Sequence, residues 1–148
     1  MLSKLRRLTD LPLVEQTLLL QLTVLLLGLR VALSAIPLLR LMSLFSRMAS
    51  SPLLNRIPLL HIRCTLDRLV IVLDLATAVS LRNGGCLPRS LLLFWLLRAR
   101  RQPASVCLGV TKEQTSLEGH AWVEQDGAVL GDTRSFIHRY TLMLRLPA

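Results

Sequence analysis

Gly119-His120-Ala121-Trp122-Val123-Glu124-Gln125-Asp126-Gly127-Ala128-Val129-Leu130-Gly131-Asp132 is the stretch that decides the fold. Upstream of it, apolar residues recur at helical spacing. Within it, two short runs, His120–Glu124 and Ala128–Leu130, flank the turn residues Asp126-Gly127 and read as a β-hairpin. Helices therefore come first and a small antiparallel sheet follows, which makes the chain α+β.

The hairpin matters because it carries a histidine on one strand and an aspartate on the return. Two registers are open. A two-residue turn at Asp126-Gly127 sets Glu124 against Val129 and His120 against Thr133, with Asp132 on the opposite face. A three-residue loop of Gln125, Asp126 and Gly127 sets Glu124 against Ala128 and His120 directly against Asp132. Glycine suits the left-handed third position of the longer loop, so the expectation is the three-residue form, with Asp132 accepting a hydrogen bond from the imidazole.

Working backwards, the helix predicted over about 87–101 is well punctuated. Pro88 lies in its first turn, Arg98, Arg100 and Arg101 crowd its last, and Pro103 stands beyond its end. Asn83-Gly84-Gly85 precedes it and puts Cys86 at its N-terminus. There the free amides and the helix dipole lower a thiol's pKa and favour the thiolate. The amides of Cys86 and Leu87 are candidate donors to a developing oxyanion, whereas Pro88 has no N–H. Cys86, His120 and Asp132 thus make a candidate nucleophile, base and orienting group. Cys64 and Cys107 read as packing residues, and His61 and His138 have no comparable setting. Arg89 is a candidate for holding a substrate carboxylate, but a solvated arginine is the simpler account, and Trp122 reads as core.

Earlier segments complete the outline. A helix is expected from Asp67 to about Leu81 with Leu66, Leu69, Val70 and Leu73 on one stripe. Residues 13–33 read as a strongly apolar helix that Pro37 ends or bends. A basic amphipathic segment follows over 38–48, with Arg40 and Arg47 set apart from Leu41, Leu44 and Phe45, and then a break at Pro52 and Pro58. The unbroken apolar piece Val24–Leu27 is short for a membrane span and Arg30 is costly in lipid. Beyond the nucleophile helix, a strand is expected over Ala104–Val110, a polar loop over Thr111–Glu118, and strand or coil over Phe136–Leu146. The expected division is a Leu-rich basic N-terminal region, 1–63, and a catalytic core, 64–148.

Composition narrows the partners. The chain has 148 residues, a net charge of +9 and 52% apolar residues of which few are aromatic. Residues 1–63 hold eight Lys/Arg against only Asp10 and Glu15. The basic residues are scattered singly and too few aromatics are present to stack bases, so nucleic acid is not a partner. Three cysteines at wide spacing fit a reducing compartment, and the start Lys4-Arg6-Arg7, followed by Asp10 and Glu15, makes a poor secretory signal. There is no CxxC pair and no HExxH, so no metal or cofactor is expected.

The runs Cys86-Leu87-Pro88-Arg89-Ser90-Leu91, Leu108-Gly109-Val110, His120-Ala121-Trp122-Val123-Glu124, Asp126-Gly127 and Asp132 resemble the transglutaminase-like leader peptidases of lasso-peptide biosynthesis, over roughly residues 65–135. The resemblance implies a papain/transglutaminase-like fold and a bacterial cytoplasmic cysteine peptidase that cuts the leader from a precursor peptide. It also implies that Cys86, His120 and Asp132 take the family's catalytic roles. A separate leader-binding (PqqD-like) protein and an ATP-dependent cyclase that closes the macrolactam are the implied partners, since 148 residues leave no room for the leader-binding domain. The Arg82-Asn83-Gly84-Gly85 stretch is richer in glycine than in relatives and identifies no upstream oxyanion residue. The Leu-rich surface of residues 13–60 is expected to dock a protein partner or a membrane surface. Two rival readings share the same residues: acyl transfer to an amine by the same triad, and a non-catalytic membrane-surface scaffold.

Overall fold

The computed structural model describes residues 13–49, 64–81, 85–113 and 116–146. The basic start, Pro52, Pro58, His61 and Arg82-Asn83-Gly84 lie outside the described residues.

Helix α1, Leu13–Ala35, turns the row Leu18, Leu22, Leu26 and Leu29 inward at i, i+4, i+8 and i+11. Its other side is also apolar, with Leu20, Val24, Leu27 and Val31 exposed. By length and composition α1 is the one helix among the described residues able to cross a membrane, and it also buries four leucines inside the protein. The helix runs unbroken through Gln21, Thr23, Gly28 and Arg30, as expected over 13–33. The chain breaks at Ile36-Pro37 and continues as α2, Leu38–Ala49, which buries Leu41 while Leu44 stays half exposed.

Helix α3, Leu66–Ser80, starts at Thr65, whose side chain caps the Arg68 amide. It buries Leu69, Val72, Leu73 and Ala76, with Leu66 and Val70 packed at the margin. Glu15 of α1 accepts from Arg68 of α3, at 3.0 Å from Nε and 2.6 Å from Nη2, which links the two helices at the surface beside their packed leucines. Helix α4, Cys86–Ala99, is buried at every position from Pro88 to Leu97. A helix apolar all round belongs at the centre, and each of its fully buried leucines contributes about 2 kcal/mol relative to exposure. It ends on Arg101 at φ 59, the left-handed position after a helix that glycine usually takes, and Gln102 N donates back to Leu97 O at 2.9 Å.

The sheet follows in the order β3-β2-β1-β4, every neighbouring pair antiparallel. Its strands are β1 (Ser105–Glu113), β2 (Ser116–Gln125), β3 (Ala128–Leu130) and β4 (Thr141–Leu146), with a single-turn helix α5 (Arg134–Ile137) between the last two. Val106 and Val123 join the helices in one core that includes α1, while Cys107, Trp122 and Ile137 make a second, smaller cluster. Ser90 Oγ of α4 donates to Ala121 O of β2 at 2.8 Å and ties the central helix to the sheet.

Two expectations need correcting. Of the loop expected over Thr111–Glu118, residues 111–113 and 116–118 are strand: β1 and β2 stay paired from Ser105↔Glu124 out to Glu113↔Ser116. This arm runs beyond the core, so neither face is buried and its composition is polar. Phe136–Leu146 is not a single segment, because α5 and a turn take up its first residues before β4 begins.

Candidate active site

Cys86 is the first residue of α4 and Gly85 its N-cap. A Cβ on Gly85 would come within 2.7 Å of Thr77 Cγ2, so the glycine lets the start of α4 close against the end of α3. The first bond of the helix runs from Arg89 N to Gly85 O at 3.1 Å. The amides of Cys86 and Leu87 therefore have no helical carbonyl to bond, and Pro88 has no N–H.

Opposite the thiol stands His120 of β2. Its ring lies among Trp122 (centroids 6.3 Å apart, near parallel), Phe136 (5.2 Å, edge-on) and Tyr140 (5.2 Å). Nε2 lies 3.5 Å from Asp132 Oδ2, an ion pair longer than a fully formed hydrogen bond. Both atoms are shielded from solvent and neither has a hydrogen bond elsewhere. With Nε2 turned to Asp132, Nδ1 is the nitrogen left for the thiol.

The electrostatics follow from this placement. His120 lowers the pKa of the half-buried Cys86 thiol; burial opposes it, and backbone groups of Ala121 and Leu87 reinforce it. Asp132 first, and Cys86 second, raise His120 from 6.5 to about 9. At neutral pH His120 is therefore held as imidazolium, and its charge favours the thiolate form of Cys86 over the thiol. Cys107 behaves in the opposite way: burial, with Glu124 beside it, pushes its thiol up to about 11. That keeps it a protonated packing residue, as its sequence context implied. Cys64 precedes α3 and its Sγ lies 3.4 Å from Arg100 Nη2.

Asp132 reaches His120 by a route the register argument did not foresee. The observed pairs are Val123↔Leu130, Glu124↔Val129 and Gln125↔Ala128, so the turn is the two-residue one. Asp126 at φ 49 and Gly127 at φ 78 are both left-handed, as a type I′ turn requires. That register, continued, would face Thr133 to His120. Pairing stops at Leu130, however, and Gly131 at φ 75 swings the chain so that Asp132 comes under the imidazole. The three-residue loop is thus wrong, and the juxtaposition of His120 and Asp132 arises from Gly131.

Arg89 is not a solvated arginine. Only 8% exposed, it donates from Nε to Asp74 Oδ1 of α3 at 2.5 Å and from Nη2 to Gly131 O at 3.3 Å, and its Nη1 lies 3.7 Å from Asp132 Oδ2. Asp74 was missed altogether. Its signal was a lone acid inside the apolar run Leu69–Ala76, one helical turn from Thr77 and two from Leu81. Asp74, Arg89, Cys86, His120 and Asp132 line one open cavity of about 300 Å³, together with Thr77 and Leu81.

A thiolate beside an imidazolium, with amides at a helix N-terminus, has the parts needed for attack on a carbonyl carbon. The sequence model of the Transglutaminase-like superfamily matches residues 24–145, from within α1 to the penultimate residue of β4. No curated protein and no solved structure matches the chain.

Proposed function

The chain belongs to the transglutaminase-like superfamily, and within it we propose a cysteine peptidase that removes the leader from a lasso-peptide precursor. One observation supports the chemistry above all: Cys86, His120 and Asp132, drawn from a helix, a strand and a turn, converge on one open cavity. The choice of substrate rests on the motif resemblance around Cys86, Leu108-Gly109-Val110 and His120.

In this reading the Cys86 thiolate attacks the carbonyl carbon of the last leader residue. The oxygen takes up the negative charge and meets the amides of Cys86 and Leu87. As the C–N bond breaks, His120 gives its proton to the leaving amine, which becomes the free N-terminus of the core peptide. His120 then takes a proton from water, the hydroxide displaces sulfur from the thioester, and the leader leaves as a free acid. Asp132 holds the imidazole and stabilises its protonated form. The enzyme acts in the cytoplasm, where thiols stay reduced. The outward row of α1, Leu20, Val24, Leu27 and Val31, is the surface offered to the leader-binding partner or to a membrane.

The test is mass spectrometry of precursor peptide incubated with this chain and the leader-binding protein. A free leader acid that disappears with Cys86→Ala is the expected result. Cleavage by Cys86→Ala overturns the reading, and a leader joined to an added amine turns it to acyl transfer.

A further inference from the structure

We propose that Asp74 is a positioning residue: by binding the Arg89 guanidinium it keeps that cation from drawing the Asp132 carboxylate away from His120. The inference rests on reading Cys86, His120 and Asp132 as the catalytic set.

The geometry is that of a contested carboxylate. Asp132 Oδ2 lies 3.5 Å from His120 Nε2 and 3.7 Å from Arg89 Nη1, and is fully hydrogen-bonded to neither. An arginine about 1 Å short of hydrogen-bonding distance from a shielded carboxylate oxygen would ordinarily close on it, because its planar fork favours bidentate pairing. Arg89 does not, since two other contacts hold it: Nε on Asp74 Oδ1 at 2.5 Å and Nη2 on Gly131 O at 3.3 Å. Asp74 supplies the charge among these contacts. Its side chain is 45% exposed against 9% for Arg89, so it can reach the guanidinium while still partly solvated.

The charged and titratable groups around the guanidinium are Asp74 from α3, Asp132 from the turn after β3, Cys86 from its own helix and His120 from β2, with Tyr140 behind the imidazole. Removing the Asp74 charge frees Arg89 to close on Asp132. A carboxylate neutralised by Arg89 supports the imidazolium less, and through it the thiolate. Removing Arg89 as well takes away the competitor, and Asp132 returns to His120. A residue that merely braced the fold would behave differently, because the double variant would be at least as impaired as the single.

The experiment is alkylation of the full chain by iodoacetamide across pH, with Cys86 followed by peptide mass spectrometry; it needs no substrate. Asp74→Asn is expected to raise the midpoint of Cys86 reactivity by about one pH unit, about a tenfold loss of thiolate at a fixed pH below the midpoint. Asp74→Asn/Arg89→Met is expected to recover most of that shift. An unmoved midpoint in Asp74→Asn overturns the inference, as does an equal shift in the single and double variants. If Asp74→Asn does not fold, Arg89→Met alone decides: a midpoint at or below the parent's supports the proposal, and a rise matching Asp132→Asn overturns it. A parent protein whose Cys86 midpoint is that of an ordinary thiol would instead remove the catalytic reading itself.

Discussion

Gly131→Ala is the sharpest perturbation of this site, because two separate costs meet at one atom. At φ 75 an alanine is held in the left-handed region, which costs about 1–2 kcal/mol. Its Cβ would also stand 1.9 Å from Arg89 Nη2 and 3.0 Å from Val70 Cγ1. Relieving that overlap displaces a buried arginine, and overpacking of this kind costs roughly 1–3 kcal/mol. The total is about 2–5 kcal/mol, or a fall in Tm of roughly 5–15 °C for a chain of this size. Gly127→Ala is the matched control: it has φ 78 and nothing within 4 Å of its Cβ, so it carries the conformational cost alone. Thermal melts of the two variants separate the terms, and iodoacetamide reactivity of Cys86 reads whether Asp132 has moved. Gly131→Ala should melt well below Gly127→Ala and show a raised Cys86 midpoint. Equal melting points and an unchanged thiol profile would refute the role assigned to Gly131.

Three further outcomes follow from the same geometry. His120→Ala should return the Cys86 midpoint towards that of an ordinary thiol and reduce precursor cleavage by about 10²–10⁴-fold, read by rate against pH. Ser90→Ala removes the buried hydrogen bond to Ala121 O and should cost about 1–3 kcal/mol by denaturant unfolding, with little change in thiol reactivity at constant fold. The third concerns stability against pH. His120 is raised from 6.5 to about 9 in the fold, so its contribution is complete below pH 6.5 and is lost as pH rises through about 9. The lowered Cys86 pKa acts with the opposite sign: its contribution is present at high pH and is lost as pH falls through the folded value. Cys86→Ser isolates the histidine, so its Tm should fall from pH 6.5 to 9, and adding Asp132→Asn should flatten that slope.

The sequence was most readable where one period ran long enough to leave no rival. The helix that opens on Cys86, expected over 87–101 and observed as Cys86–Ala99, announced itself through Pro88, its terminal arginines and Pro103. The stripe of α3 was equally plain, since Leu69 and Leu73 are buried and Leu66 and Val70 flank them. Register was harder, because Gly127 satisfies both candidate turns and the choice fell to Asp126 accepting φ 49. Nothing in strand alternation marks Gly131 as a pivot. The polar arm of β1 and β2 hid as a loop because two-stranded ribbons beyond a core have no buried face to pattern. Arg89 and Asp74 lie four turns of sequence apart on different helices, and only their packing makes them partners.

The three members of the site are anchored very unequally. Cys86 opens the most deeply buried helix, whereas Asp132 follows a strand of three residues and precedes a helix of four. Amide hydrogen exchange should therefore grade across a few ångströms: slowest in α4, where opening requires global unfolding, and fastest around Gly131 to Ile137, where local opening suffices. Gentle heating or dilute denaturant would then release the aspartate first and leave an intact helix whose thiol faces an unsupported imidazole. Inactivation would run ahead of unfolding, and it would reverse on cooling.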